Sequence, residues 1–124
     1  MPMLKHDEEY LISRGFVYTV SEDNNGLFLV LKDYNLSTEY DQHQTDVLIR
    51  IPVGYPMVGI DMFYVRPYIK IAATNMNPPA TDGFANFIGI EWQQFSRHYT
   101  WSPTYNLETH IKIIDDVLAR GRWQ

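Results

Sequence analysis

The sequence predicts an α+β domain, an antiparallel four-stranded meander with an N-terminal helix and a C-terminal helix. Three observations carry this expectation. "HDEEYLISRGF" near the start and "NLETHIKIIDDVLARG" near the end have helical patterns, the runs between them alternate with a period of two, and turn-forming clusters separate those runs. At 124 residues the chain fits the commonest domain size of about 100–150 residues, so 1–124 is read as one domain.

The first helix follows from charge order. Asp7, Glu8 and Glu9 precede Tyr10, Leu11 and Ile12, and Arg14 and Gly15 close the segment, which suits the helix dipole and a glycine stop. "FVYTV" alternates around Phe16, Tyr18 and Val20, "SEDNNG" turns at Asp23 to Gly26, and "LFLVLKDY" resumes as a dense β-favouring run, which predicts a hairpin. In "DVLIRI", Val47, Ile49 and Ile51 share one face of a strand, and Asp46, Leu48 and Arg50 the other. "PVGYPMVG" interrupts regular structure because its prolines and glycines suit no central strand. "DMFYV" is extended, "YIKIAA" is a further short strand candidate, and "TNMNPPATDG" is a loop by composition. "FANFIGIEW" fits a strand or irregular packing equally. In the last helix Asn106 is the N-cap, Leu107, Ile111, Ile114 and Leu118 recur at helical spacing, Asp115 and Asp116 turn outward, and Gly121 is the stop.

Composition narrows the function classes. The net charge of -5 and ten scattered Lys and Arg residues argue against nucleic acid and anionic membrane as partners, since both attract clustered cations. No apolar stretch reaches the about 20 residues of a membrane span, and "MPMLKHDEEY" lacks a signal-peptide core, so a soluble cytoplasmic protein is expected. The absence of cysteine excludes disulfides, thiolate metal sites and thioester chemistry together. His6, His43, His98 and His110 are too dispersed for a helical metal pair, and neither a phosphate-binding glycine loop nor a nucleophile elbow occurs, so no metal or cofactor is expected.

Tyr55-Pro56 followed by Asp61-Met62-Phe63 resembles the Tyr-Pro element of ubiquitin-conjugating domains and the strand after it. Trp101-Ser102-Pro103 before a helix resembles their Trp-Ser-Pro. "IPVGYP", "DMFYVRP" and "SRHYTWSP" together look like prokaryotic family E of the ubiquitin-conjugating-enzyme-like superfamily, in order over most of the chain. The resemblance implies the ubiquitin-conjugating (UBC-like) fold, with a ubiquitin-like protein and an activating-enzyme-like protein as partners. It also exposes a departure. The family's nucleophilic cysteine lies eight positions before the Trp-Ser-Pro, at Gln93 here, or at Trp92 or Gln94 after an insertion. The His-Pro-Asn box is replaced by "TNMNPPATDG", where Asn75 or Asn77 mimics the asparagine only loosely. Glutamine is no nucleophile, and Ser96 needs a positioned base and forms an ester.

The resemblance therefore points to a catalytically inactive domain that binds as an adaptor, through Gln93, Gln94, Arg97 and His98 and the loop after Tyr55-Pro56. Two other classes stay open, a His98-dependent acyl-transfer or hydrolytic enzyme using Ser96 or a carboxylate from elsewhere in the chain, and a structural subunit of a larger assembly. His98 is either an acid–base group or a loop hydrogen bond, and Arg97 either holds a carboxylate or lies in solvent. Asp61 either faces a partner or caps the next strand. Tyr55, Met57, Met62 and Tyr64 form a stretch suited to adaptable interfaces, although half of them must be core. Trp101 is expected under the last helix with its indole N–H on a loop carbonyl, and Trp123 is expected to dock on this domain or another chain.

Overall fold

The computed structural model describes residues 2–120. Helix α1 (Lys5–Ser13) leads into strands β1 (Val17–Asp23), β2 (Gly26–Asn35), β3 (Gln44–Pro52), β4 (Phe63–Arg66), β5 (Phe84–Phe87) and β6 (Ile90–Phe95), and helix α2 (Leu107–Arg120) follows. All strand pairs are antiparallel, in the order β1-β2-β3-β4-β6-β5. The expected four-strand meander is therefore β1 to β4, and the sheet continues beyond it by a hairpin. That hairpin is "FANFIGIEW". Phe87 pairs with Ile90 across Ile88 and Gly89, whose φ values of 48° and 75° are the two left-handed conformations of a type I′ turn. Ile88 replaces the usual Asn there, which is why the turn has no signal in the sequence.

"YIKIAA" is not a strand. Ile71 makes isolated bridges to Tyr40 and Met76, and Lys70 and Asp41 exchange hydrogen bonds of 2.9 Å, so the segment is clipped to the loop before β3 instead of joining the sheet.

Alternation along the strands makes two cores. On the helix side, Leu27, Leu29 and Leu31 of β2, Val47, Ile49 and Ile51 of β3, and Phe63 and Val65 of β4 pack against Leu107, Ile111, Ile114 and Leu118 of α2 and Leu11 of α1. On the other side Phe28, Val30, Leu48, Tyr64 and Trp92 form a smaller aromatic cluster, against which Phe87 of the hairpin packs. Leu48 is thus as buried as its neighbours, where alternation alone assigned it to the polar face.

Asn106 caps α2 reciprocally with Thr109. Its Oδ1 accepts the Thr109 N–H at 3.2 Å, and the Asn106 N–H donates to Thr109 Oγ1 at 3.3 Å. Asp115 does not turn to solvent with Asp116. It accepts hydrogen bonds from Tyr34 (2.5 Å) and Arg14 (3.0 Å), tying α2 to β2 and to the end of α1. The expected stop at Gly121 and the expected docking of Trp123 lie outside the described residues. No helix among the described residues is long and apolar enough to cross a membrane.

Candidate functional site

The loop between β3 and β4 and the segment after β6 meet at one end of the sheet. Trp101 joins them. Its indole N–H donates to the Pro56 carbonyl at 2.8 Å, its ring lies beside Tyr55, Tyr99 and Tyr105, and a Cβ on Gly59 would sit 2.5 Å from its ring. Glycine at 59 is what lets the loop close over the indole.

Tyr55 stands beneath this loop, buried. Its hydroxyl donates to Asp7 Oδ2 at 2.8 Å and accepts the N–H of Leu107 at 2.6 Å, so it links α1 to one of the otherwise unsatisfied donors at the start of α2. Asp7 is 1% exposed, and its Oδ1 has no hydrogen-bond partner among the described residues. Burial raises the Asp7 pKa against the opposing hydrogen bond from Tyr55, and burial, then Asp7, raises that of the phenol. Tyr55 is thus an internal strut.

Gln93 is also interior, at 2% exposure in the middle of β6, paired with Val65 on one side and Phe84 on the other. Its side-chain amide closes a two-bond ring on one residue of the neighbouring loop: Oε1 accepts the Ile69 N–H at 2.8 Å, and Nε2 donates to the Ile69 carbonyl at 3.1 Å. The position to which the resemblance assigns the nucleophile thus holds a backbone clamp. Trp92 is buried in the aromatic cluster with its indole N–H on Phe87 O at 3.2 Å, and Gln94 is half-buried with Nε2 on Ser96 Oγ at 3.1 Å. Arg97 is neither in solvent nor on an exposed anion site. It is 6% exposed, its guanidinium lies 5.5 Å from the Phe95 ring centre, and burial lowers its pKa.

What the fold brings to the surface here is His98 with Asp61. His98 Nδ1 lies 2.9 Å from Asp61 Oδ1 and 3.2 Å from Oδ2, and both side chains are exposed. An ionised Asp61 only accepts, so Nδ1–H is the donor of this bond. Asp61 is 37 residues away in sequence, and sequence reasoning found both residues without pairing them. Ser96 makes no hydrogen bond to His98 among the described residues; its Oγ accepts from Gln94 Nε2.

The dyad rests on His110. His110 Nε2 lies 2.8 Å from the Met62 carbonyl and Nδ1 2.7 Å from Tyr99 Oη; since the carbonyl only accepts, Nε2 carries the proton and Nδ1 accepts from the phenol. Burial pushes the His110 pKa down to about 4, so the ring is neutral at pH 7. It fixes Met62, whose φ of 60° is left-handed, and through it the direction of Asp61. The same β3–β4 loop that carries Asp61 exposes Val53, Met57 and Val58, apolar side chains of which the sequence reading singled out only Met57. No group of three His, Cys, Asp or Glu side chains among the described residues is arranged to hold a metal ion.

No curated protein and no solved structure matches the chain. The family model of prokaryotic E2 family E matches residues 3–121, which takes in both helices, the sheet and the two segments carrying Asp61 and His98. With a match over nearly its whole length, the chain belongs to prokaryotic E2 family E, as a ubiquitin-conjugating-like domain that has no cysteine.

Proposed function

We propose that this domain binds and does not transfer, acting as an adaptor in a bacterial ubiquitin-like modification system in the cytoplasm, with a ubiquitin-like protein and an activating-enzyme-like protein as its partners. The observation that carries this is Gln93: no cysteine exists in the chain, and the position matching the nucleophile is a buried clamp on Ile69. The docking surface is the exposed rim of Val53, Met57 and Val58 with Asp61 and His98, flanked by the half-buried Gln94 and Trp101. An apolar centre edged by a polar, hydrogen-bonded pair has the composition of a transient protein interface.

Calorimetric titration with the ubiquitin-like protein and the activating-enzyme-like protein of the same genome tests this. Micromolar binding weakened by Met57→Asp or His98→Ala is expected. Absence of binding by folded protein to either partner refutes it and favours a structural subunit. The His98–Asp61 pair also favours a second reading, in which His98 Nε2 acts as a base on a bound substrate. Turnover of an acyl substrate that His98→Ala abolishes, with folding intact, would select it.

A further inference from the structure

The sheet ends in two unlike edges, β5 with 4 residues and β1 with 7. β1 pairs with β2 on one side, and its outer side meets no strand among the described residues. It has none of the usual devices that block such an edge. The strand contains no proline and no lysine, and its register runs without a bulge from Val17↔Lys32 to Asp23↔Gly26. Val17, Thr19, Val20 and Ser21 are all exposed along it.

The turn decides which backbone groups face outward. Asp23 and Gly26 stand opposite each other across a two-residue turn, so they exchange both backbone hydrogen bonds, and the alternation of an antiparallel ladder directs Ser21, Thr19 and Val17 to β2 as well. Tyr18 and Val20 therefore point N–H and C=O away from the sheet, and neither makes a hydrogen bond there to the described residues. Their side chains lie on the helix side, across from Leu31 and Leu29, while Thr19 projects from the other face.

A second β1 strand, antiparallel about a two-fold axis at Thr19, satisfies these groups. Tyr18 then faces Val20 of the second copy and Val20 faces its Tyr18, each exchanging both backbone bonds and setting an aromatic ring on a β-branched side chain. Thr19 meets its own copy, a pairing that suits a bond between hydroxyls, and Val17 meets Ser21. Glu22 and Asp23 fall opposite Phe16 and Gly15, so no like charges are opposed, whereas an axis at Glu22 would set two carboxylates face to face. This self-complementarity of hydrogen bonds, side chains and charge selects a second copy of the chain as the occupant.

We propose that β1 is a self-association edge, through which two copies of this chain join in antiparallel register centred on Thr19 to form one continuous sheet. The Val53 N–H donates to the Asn25 carbonyl at 3.1 Å, so the loop that exposes Val53, Met57 and Val58 begins at the Asp23 end of β1. The two-fold axis sends the two Asp23 ends in opposite directions. Both loops stay open, and the dimer presents its docking surface twice. This goes beyond the adaptor reading and does not depend on it.

Sedimentation equilibrium of the full chain tests the dimer, in about 0.5 M salt to screen the repulsion between two chains of net charge -5. One strand pairing is a small interface, so a dissociation constant of about 10–100 µM is expected. Val20→Pro removes an outward N–H and none that β2 uses, so it keeps the hairpin and is expected to weaken association about tenfold or more. Cross-linking then tests the register, because the chain has no cysteine of its own. Facing positions of a pair without backbone bonds have Cα atoms about 4.5 Å apart, within disulfide reach, whereas Ser21 and its copy are about 14 Å apart in this register. With diamide as oxidant, Thr19→Cys is expected to form a covalent dimer about tenfold or more faster than Ser21→Cys, and Val17→Cys mixed with Ser21→Cys to form the mixed dimer. A wild type still monomeric at about 500 µM, association unchanged in folded Val20→Pro, or equal cross-linking of Thr19→Cys and Ser21→Cys overturns the proposal. If Val20→Pro does not fold, the cross-linking rates decide. A monomeric wild type that binds the ubiquitin-like protein overturns the dimer and leaves the adaptor standing, and a dimer that binds no partner does the reverse.

Discussion

Replacing Gln93 with cysteine puts a thiol at the position that the family resemblance assigns to the nucleophile. The structure predicts that it restores nothing and costs stability. The Gln93 amide makes two hydrogen bonds, 2.8 and 3.1 Å, to the backbone of Ile69, a residue that is itself 0% exposed. A cysteine side chain is too short to reach either group. Leaving a buried donor or acceptor unsatisfied costs about 1–3 kcal/mol, so the pair together is worth about 2–6 kcal/mol. Against a domain stability of about 5–15 kcal/mol this is a large loss. With a urea dependence of about 2 kcal/mol per molar, the middle of the usual range, the unfolding midpoint falls by roughly 1–3 M. The new thiol stays sealed under the 67–73 loop, and a thiol reagent labels the native variant slowly, whereas Met57→Cys, at a site 71% exposed, labels at once. Equal labelling rates for the two variants, together with an unchanged urea midpoint for Gln93→Cys, would refute the argument that this position has become a structural clamp.

Further outcomes follow from the same geometry. Stability should fall as pH drops from about 6.5 to about 4, because His110 is neutral when folded, with its pKa depressed to about 4, and takes up a proton on unfolding; the loss is up to about 3 kcal/mol by linkage. Asp7 works against this. Its folded pKa is raised, so protonation relieves a cost of folding at acid pH, and urea melts of wild type and His110→Gln across that range separate the two. Tyr55→Phe removes the bridge between Asp7 and the Leu107 N–H and should destabilise by about 1–3 kcal/mol, read by chemical denaturation, with a smaller loss when Asp7 is already Asn. At Gly26, φ is 136° and an added Cβ would lie 2.0 Å from the Ile51 carbonyl oxygen, so Gly26→Ala should cost more than about 3 kcal/mol or abolish folding. Asp61→Ala and His98→Ala should leave stability within about 0.5 kcal/mol while weakening partner binding, since both side chains are exposed.

Local chemistry wrote much of the fold into the chain. The acidic start and glycine end of α1, the alternation in β3, the hairpin turn before Gly26 and the Asn106 cap are all decided within a few residues, and each is legible there. The absence of cysteine is legible too, and it alone excludes thioester transfer. The site is different, because its properties depend on residues far apart in sequence. Nothing near Gln93 announces that its amide will find Ile69, nothing near His98 names Asp61, and "SRH" gives no sign that Arg97 will be covered while His98 is not. The Ile88-Gly89 turn hides the hairpin that extends the sheet, because its left-handed residue is of a type that seldom adopts that conformation. Periodicity reports which face of an element is apolar; whether that face, or a polar side chain on it, is covered depends on what another element lays over it, and only the tertiary structure decides that.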